Sequence, residues 1–237
     1  MREEISWREY FSLRPPDLKK PEYKHLWLLL YWPLELAFFA AAGRLPRSYH
    51  PVACALDESI PLLEGFVVPY LLWFLCGLFL LLYTLRRNIP VFRRFMDFMI
   101  VTILLCGAVF LLYPSTFPLR PVPVWPVSVG DCYRAMPRQN LFTWVLSVVY
   151  FTDPPRNVFP SMHIAVSFGM FCAVLQDRLL RRPAFSVPFG LLQLLIWLSV
   201  VFTRQHSVLD VLGALPVMLL GWFLCFRPGR AEKTAEA

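Results

Sequence analysis

The chain has 237 residues, of which 57% are hydrophobic and only 16% charged. Soluble domains average about 25% charged residues, so this composition excludes an ordinary soluble globular protein and indicates an integral membrane one. The net charge of +7 would suit a nucleic-acid binder, but the basic residues fall in short clusters between apolar runs, where they encode membrane topology and attract anionic headgroups; membrane lipids, and no nucleic acid, are the expected partners.

In chain order, Met1 to Lys24 is polar and longer than the charged head of a signal peptide. No small-residue cleavage site follows the first apolar run, so that run is expected as a retained span. About 20 apolar residues cross a bilayer as a helix. Six runs are assigned as spans: His25–Ala42, Leu62–Thr84, Phe95–Tyr113, Ser161–Leu175, Ala184–Phe202 and His206–Phe226. They make one membrane domain, residues 25–226, between polar tails at 1–24 and 227–237. Glu35 in the first span is a carboxyl at a costly depth and calls for a partner, a proton or a cavity. Pro69 predicts a kink in the second span. Leu141–Phe151 is apolar but too short to cross and is expected to lie along the outer interface. The runs are continuous rather than alternating, and an open sheet edge cannot face lipid. The fold class is therefore all-α: a polytopic bundle of six transmembrane helices.

Basic residues set the orientation. The N-terminal segment carries Arg2, Arg8, Arg14, Lys19, Lys20 and Lys24; the second connection Arg86, Arg87, Arg93 and Arg94; the fourth Arg178, Arg181 and Arg182; the C-terminal segment Arg227, Arg230 and Lys233. These segments alternate along the chain and hold most of its cations, which predicts that both termini are cytoplasmic. Arg44, Arg47, Arg120, Arg134, Arg138, Arg156 and Arg204 then fall outside. The expected location is a bacterial plasma (inner) membrane.

Two of the chain's four histidines open long apolar runs, in Pro160-Ser161-Met162-His163 and Thr203-Arg204-Gln205-His206, the latter followed by Asp210. Ionisable groups beside spans are costly and indicate function. Spans four and six run in the same direction, so parity brings His163 and His206 to the outer face, where Arg120 joins them from a long loop. A helix start offers free N–H groups and a positive dipole end to an anion, and the Ser161 hydroxyl can add a bond to phosphate. His206 and Asp210 are four apart and share a helix face. A carboxylate on one imidazole nitrogen fixes the tautomer and frees the other nitrogen to attack. His163 suits acid–base work near neutral pH, and arginines suit phosphoryl oxygens. Each motif alone also fits an ordinary interfacial histidine; two histidines and a carboxylate could also hold a metal, but the flanking arginines favour an anion, so no metal and no cofactor are expected.

At these residues the chain resembles the type 2 phosphatidic acid phosphatase (PAP2) superfamily, whose motifs are Lys-x6-Arg-Pro, Pro-Ser-Gly-His and Ser-Arg-x5-His-x3-Asp. Arg120-Pro121 matches the end of the first, Pro160-Ser161-Met162-His163 the second, and Ser199, His206 and Asp210 the third. The resemblance implies that His206 is the nucleophile that becomes phosphorylated, that Asp210 supports it, that His163 protonates the leaving group and that Arg120 binds phosphate. Tyr113, Met162 and Val200 stand where the family has lysine, glycine and arginine. Arg204, one helical turn beyond Val200, is inferred to supply the missing guanidinium. The Thr203-Arg204-Gln205-His206 form looks like the inositol-phosphoceramide and sphingomyelin synthase-like branch. The implied substrate is a lipid phosphate or polyprenyl pyrophosphate, hydrolysed at the extracytoplasmic face. Transfer to a lipid hydroxyl is the nearest alternative, and a non-enzymatic transporter or flippase the alternative from another class.

Elsewhere, Asp57-Glu58 and Glu64 read as a solvated acidic loop or a headgroup site, and Asn157 as a turn former. Cys54 and Cys132 fall on the same side and could pair in an oxidising compartment.

Overall fold

The structure, a computed structural model, describes residues 3–43, 45, 48–122 and 128–227. Arg2, Arg44, Arg47, Pro123 and the segment from Pro228, with Arg230 and Lys233, lie outside the described residues.

Ten α-helices follow one another among the described residues. After α1 (Trp7–Ser12), two 3-10 helices, Pro15–Lys19 and Pro21–Leu30, lead directly into α2 (Tyr31–Ala42). Strand β1 (His50–Pro51) and the short α3 (Ala55–Ser59) precede a 3-10 turn, Glu64–Phe66, which opens into α4 (Val67–Arg87). The others are α5 (Ile89–Leu112), α6 (Val129–Ala135), α7 (Leu141–Thr152), α8 (Met162–Gln176), α9 (Pro183–Phe202) and α10 (Val208–Cys225), with strand β2 (Ser115–Thr116) parallel to β1. The protein is an all-helical membrane bundle. Pro21–Ala42, Glu64–Arg87, Ile89–Leu112, Pro183–Phe202 and Val208–Cys225 are long and apolar enough to cross a membrane.

The fourth expected span, α8, has 15 residues and is about 22 Å long, short of a hydrocarbon core of about 30 Å. It sits at the centre, against α4, α5, α9 and α10. Ile164, Ala165, Ala173 and Val174 are fully buried there, so protein rather than lipid surrounds most of it. Gly169 of α8 and Gly221 of α10 both face the Phe98 ring of α5, where a Cβ would collide with it; these two glycines let three helices close on one aromatic side chain.

The turn chemistry explains where the spans end. Asn88 closes α4 and caps α5, its Oδ1 accepting from the Val91 N–H at 3.2 Å. Its amide donates to Asp177 Oδ2 at 2.9 Å, and Tyr83 donates to Asp177 Oδ1 at 3.2 Å. Asp177 also accepts from the N–H groups of Leu179 and Leu180, so one buried carboxylate joins the α4–α5 turn to the α8–α9 turn. Residues 3–24 pack on that same end. The Ile5 N–H donates to Arg86 O, the Ile89 N–H to Glu3 O, and Tyr10 to Leu85 O.

Pro69 does not sit mid-helix. It is the third residue of α4, in a first turn where its missing N–H removes no helical bond, so the expected cause of a kink is absent. The prolines inside helices are Pro188 and Pro216. Helix α7 has 12 residues and packs on α4, α6 and the Glu64–Phe66 turn. Glu35 lies on α2, one turn from Tyr31, and α2 packs at the margin of the bundle against α5. All six cysteines are free; Cys132, on α6, is buried and Cys54 is half-buried.

Candidate active site

The two histidine motifs converge at one end of the bundle. Helix α9 ends at Phe202, and the Thr203 hydroxyl folds back onto Ser199 O at 2.6 Å. Arg204 then takes a left-handed backbone, φ 51°, and the N–H groups of Gln205 and His206 both donate to Val200 O, at 2.9 and 3.0 Å. Ser207 is the N-cap of α10: its Oγ accepts from the Leu209 N–H at 3.1 Å, and its N–H donates to Asp210 Oδ2 at 2.9 Å. This capping box corrects two expectations. His206 precedes the helix instead of lying in its first turn, and Arg204 is not on the α9 face below Val200, because the helix has already ended.

The His206–Asp210 pair survives this change. Nδ1 of His206 lies 3.0 Å from Val158 O and 3.2 Å from Asp210 Oδ2. Both partners are acceptors, a carbonyl and a carboxylate, so Nδ1 carries the proton and donates to both. The lone pair is therefore on Nε2, which is 3.4 Å from Nδ1 of His163. His163 is the second residue of α8, capped by Ser161, whose Oγ accepts from the Ile164 N–H at 3.5 Å. The Ser161 N–H donates to Asp210 O at 3.1 Å, tying the start of α8 to that of α10. Phe159 lies across Gly213, where a Cβ would strike its ring; this close approach sets the loop that presents the Val158 carbonyl. The His163 imidazole stands beside Tyr70 and Trp73 of α4, with ring centroids 5.0 and 4.8 Å away, and the Trp73 indole N–H donates to His163 O.

Arg120 is 2% exposed. Its Nη1 donates to Asp153 O at 2.8 Å and to Gln205 Oε1 at 3.0 Å, and its guanidinium lies over the Tyr150 ring, 3.8 Å from the centroid. Burial draws its pKa down, and nearby Tyr150, Asp153 and Tyr70 oppose this; an arginine stays charged through such a change. Its Nε and Nη2, Nε of Arg204 and Nε2 of Gln205 are buried with no hydrogen-bond partner among the described residues. A buried cation with two unpartnered donors is costly, and the natural complement of this donor set is an anion with several oxygens. Arg204 itself binds backbone, donating to Leu119 O at 2.9 Å and Ile60 O at 3.0 Å, and so pins the strand of chain that carries Arg120. Among the described residues no three His, Cys, Asp or Glu side chains gather to hold a metal.

Sequence reasoning missed three contributors. Gln205 gives no signal beyond its place beside His206. Asp153 accepts from the Tyr70 hydroxyl at 3.0 Å, linking the Arg120 loop to the helix that flanks His163. Asp57, read as part of a solvated loop, is 3% exposed. It accepts from the Ser207 hydroxyl at 2.6 Å and from the N–H groups of Val208 and Cys54, each at 2.8 Å. Burial pushes its pKa up, but those donors outweigh it and hold the carboxyl below its usual range. Asn157 has the left-handed backbone of a turn former, φ 54°. Tyr113, in the family's lysine position, is exposed and stacks on His50.

A family model for the PAP2 superfamily matches residues 55–224. The chain belongs to the PAP2 superfamily. The match spans α3 to α10 and includes every residue of the cluster just described. Membership supports a phosphatase-related function in a membrane-embedded helical bundle. No curated protein and no solved structure matches the chain.

Proposed function

We propose that this PAP2 protein is a metal-independent lipid phosphatase that works through a phosphohistidine. The observation that carries the reading is the double acceptor on His206 Nδ1, Val158 O and Asp210 Oδ2, which turns the lone pair of Nε2 toward His163. A phosphoryl group enters between the two imidazoles, with its oxygens on Arg120 and Gln205. Nε2 attacks phosphorus, the bond to the leaving oxygen breaks, and His163 gives that oxygen a proton. Asp210 holds the Nδ1 proton of the resulting phosphoimidazolium. Water, deprotonated by His163, then attacks phosphorus and releases inorganic phosphate and neutral His206. Arg204 and Ser161 frame the site, the first through the Leu119 and Ile60 carbonyls and the second as the α8 cap.

The substrate class is a lipid phosphate or polyprenyl pyrophosphate, since the cluster lies among membrane helices. Cytoplasmic termini and an outward-facing site are supported by the distribution of the cationic clusters. The test is a panel of lipid phosphates and pyrophosphates assayed with chelator present, beside His206→Ala. Metal-independent release of phosphate by the wild type, with none from the variant, is expected. Full turnover by folded His206→Ala would overturn the reading. Addition of a lipid alcohol separates hydrolysis from transfer: a new phosphomonoester of that alcohol would move the protein to the transferase side of the family.

A further inference from the structure

We propose that Asp57 is a positioning residue that holds the nucleophile segment, an inference that rests on the phosphohistidine reading above. Asp57 lies 150 positions before Ser207 in the chain and outside the three motifs. It is buried, and all three of its bonds are to donors, two of them from α10's cap and first residue. A carboxylate at that place is favoured by the helix dipole.

The route to His206 is short. The Ser207 hydroxyl donates to Asp57, and the Ser207 N–H donates to Asp210 Oδ2, the oxygen that also receives His206 Nδ1–H. Ser207 thus stands between two carboxylates, one fixing its side chain and the other its backbone. His206 has no helix of its own to hold it, because α10 begins at Val208. Its orientation depends on the residue that follows, and that residue is anchored by Asp57. When Asp57 becomes Asn, the shape stays but the charge goes, and whichever way the amide turns its NH2 is set against a donor: the Val208 N–H on one side, or the Ser207 hydroxyl and the Cys54 N–H on the other. The cap loosens, the His206–Asp210 bond lengthens, and the attacking nitrogen wanders.

The test compares the full-length wild type with Asp57→Asn, Ser207→Ala and Asp177→Asn in detergent micelles. Two readouts are taken: 15N shifts of the histidine rings, with His206 assigned from His206→Gln, and kinetics on a lipid phosphate, counted per active site from the phosphohistidine burst. For Asp57→Asn and Ser207→Ala, the His206 Nδ1 resonance moves and the ring exchanges between tautomers, while kcat falls about 10-fold and KM stays within about twofold. Asp177→Asn, a lesion at the far end of the bundle, changes neither readout. An unaltered His206 resonance in both folded variants overturns the proposal, as does an unaltered kcat per active site. If one variant fails to fold, the other decides. Should the wild type release no phosphate from any lipid phosphate, the catalytic reading fails, and the ring resonances alone still decide whether Asp57 positions His206.

Discussion

Nε2 of His206 and Nδ1 of His163 face each other across 3.4 Å, although 43 residues separate them in the chain. The contact joins the start of α8 to the loop before α10, and the two imidazoles have unequal surroundings. His206 has Nδ1 tied to two acceptors, whereas His163 is packed between the rings of Tyr70 and Trp73. Loss of His206 is expected to abolish both turnover and acid-labile phosphate labelling of the protein. His163→Ala should still form some phosphohistidine from a substrate with a good leaving group, while kcat on an alkyl phosphate falls by about 100- to 10,000-fold. Single-turnover labelling with the two leaving groups checks this; equal losses on both would show that His163 is not the acid.

Arg120→Lys keeps a charge but loses the planar fork over Tyr150. It should lower kcat/KM by about 100-fold, the scale of losing one transition-state donor. Gln205→Ala leaves Arg120 Nη1 with one bond in place of two, and about 10-fold is expected. Because Gln205 acts partly through Arg120, the double variant should be little worse than Arg120→Lys alone. A multiplicative double variant would separate them.

Arg204→Ala removes the bonds to Leu119 and Ile60 carbonyls. Its effect belongs to stability, at about 2–3 kcal/mol for two charge-assisted, half-buried bonds. Thermal unfolding in detergent should show a lower midpoint, and phosphate added as a ligand should restore part of it. A variant with unchanged midpoint but a raised KM would put Arg204 on the substrate instead.

Gly213→Ala sets a Cβ against the Phe159 ring. The loop from Val158 to Ser161 must shift, and with it the carbonyl that holds His206 Nδ1. Activity should fall more than stability, and Phe159→Leu in the same chain should recover much of it by vacating the space. Failure of that second change to help would mean the glycine is needed for some other reason.

Asp177 supplies a pH-dependent contribution at the other end. Burial raises its pKa, but donors from Leu180, Asn88, Leu179 and Tyr83 outweigh this and leave it lowered in the folded protein. A lowered carboxyl stabilises above its unfolded pKa and loses that contribution as pH falls through the folded one. The wild type should therefore be more stable than Asp177→Asn at neutral pH, with the gap closing in acid, below about pH 4. Unfolding midpoints of both proteins across that range test it; a constant gap would contradict it.

The helices, the pairing of the histidine motifs and the contact of His206 with Asp210 were legible from residues alone. A bilayer demands long apolar runs whatever their neighbours, and parity of those runs assigns Ser161–His163 and His206–Asp210 to one face before any contact is known. Family motifs then give Arg120, His163 and His206 the roles proposed above. What tertiary structure decided is local and cross-chain. Whether His206 sits on a helix depended on Ser207 taking the cap; whether Arg204 continues α9 or turns to the Leu119 and Ile60 carbonyls depended on that helix stopping at Phe202, two residues short of it. Asp57, Gln205 and the Tyr70–Asp153 pair gain meaning only from partners far away in sequence, because a buried hydrogen bond is specified by the packing that brings donor to acceptor, and no periodicity along the chain records that packing.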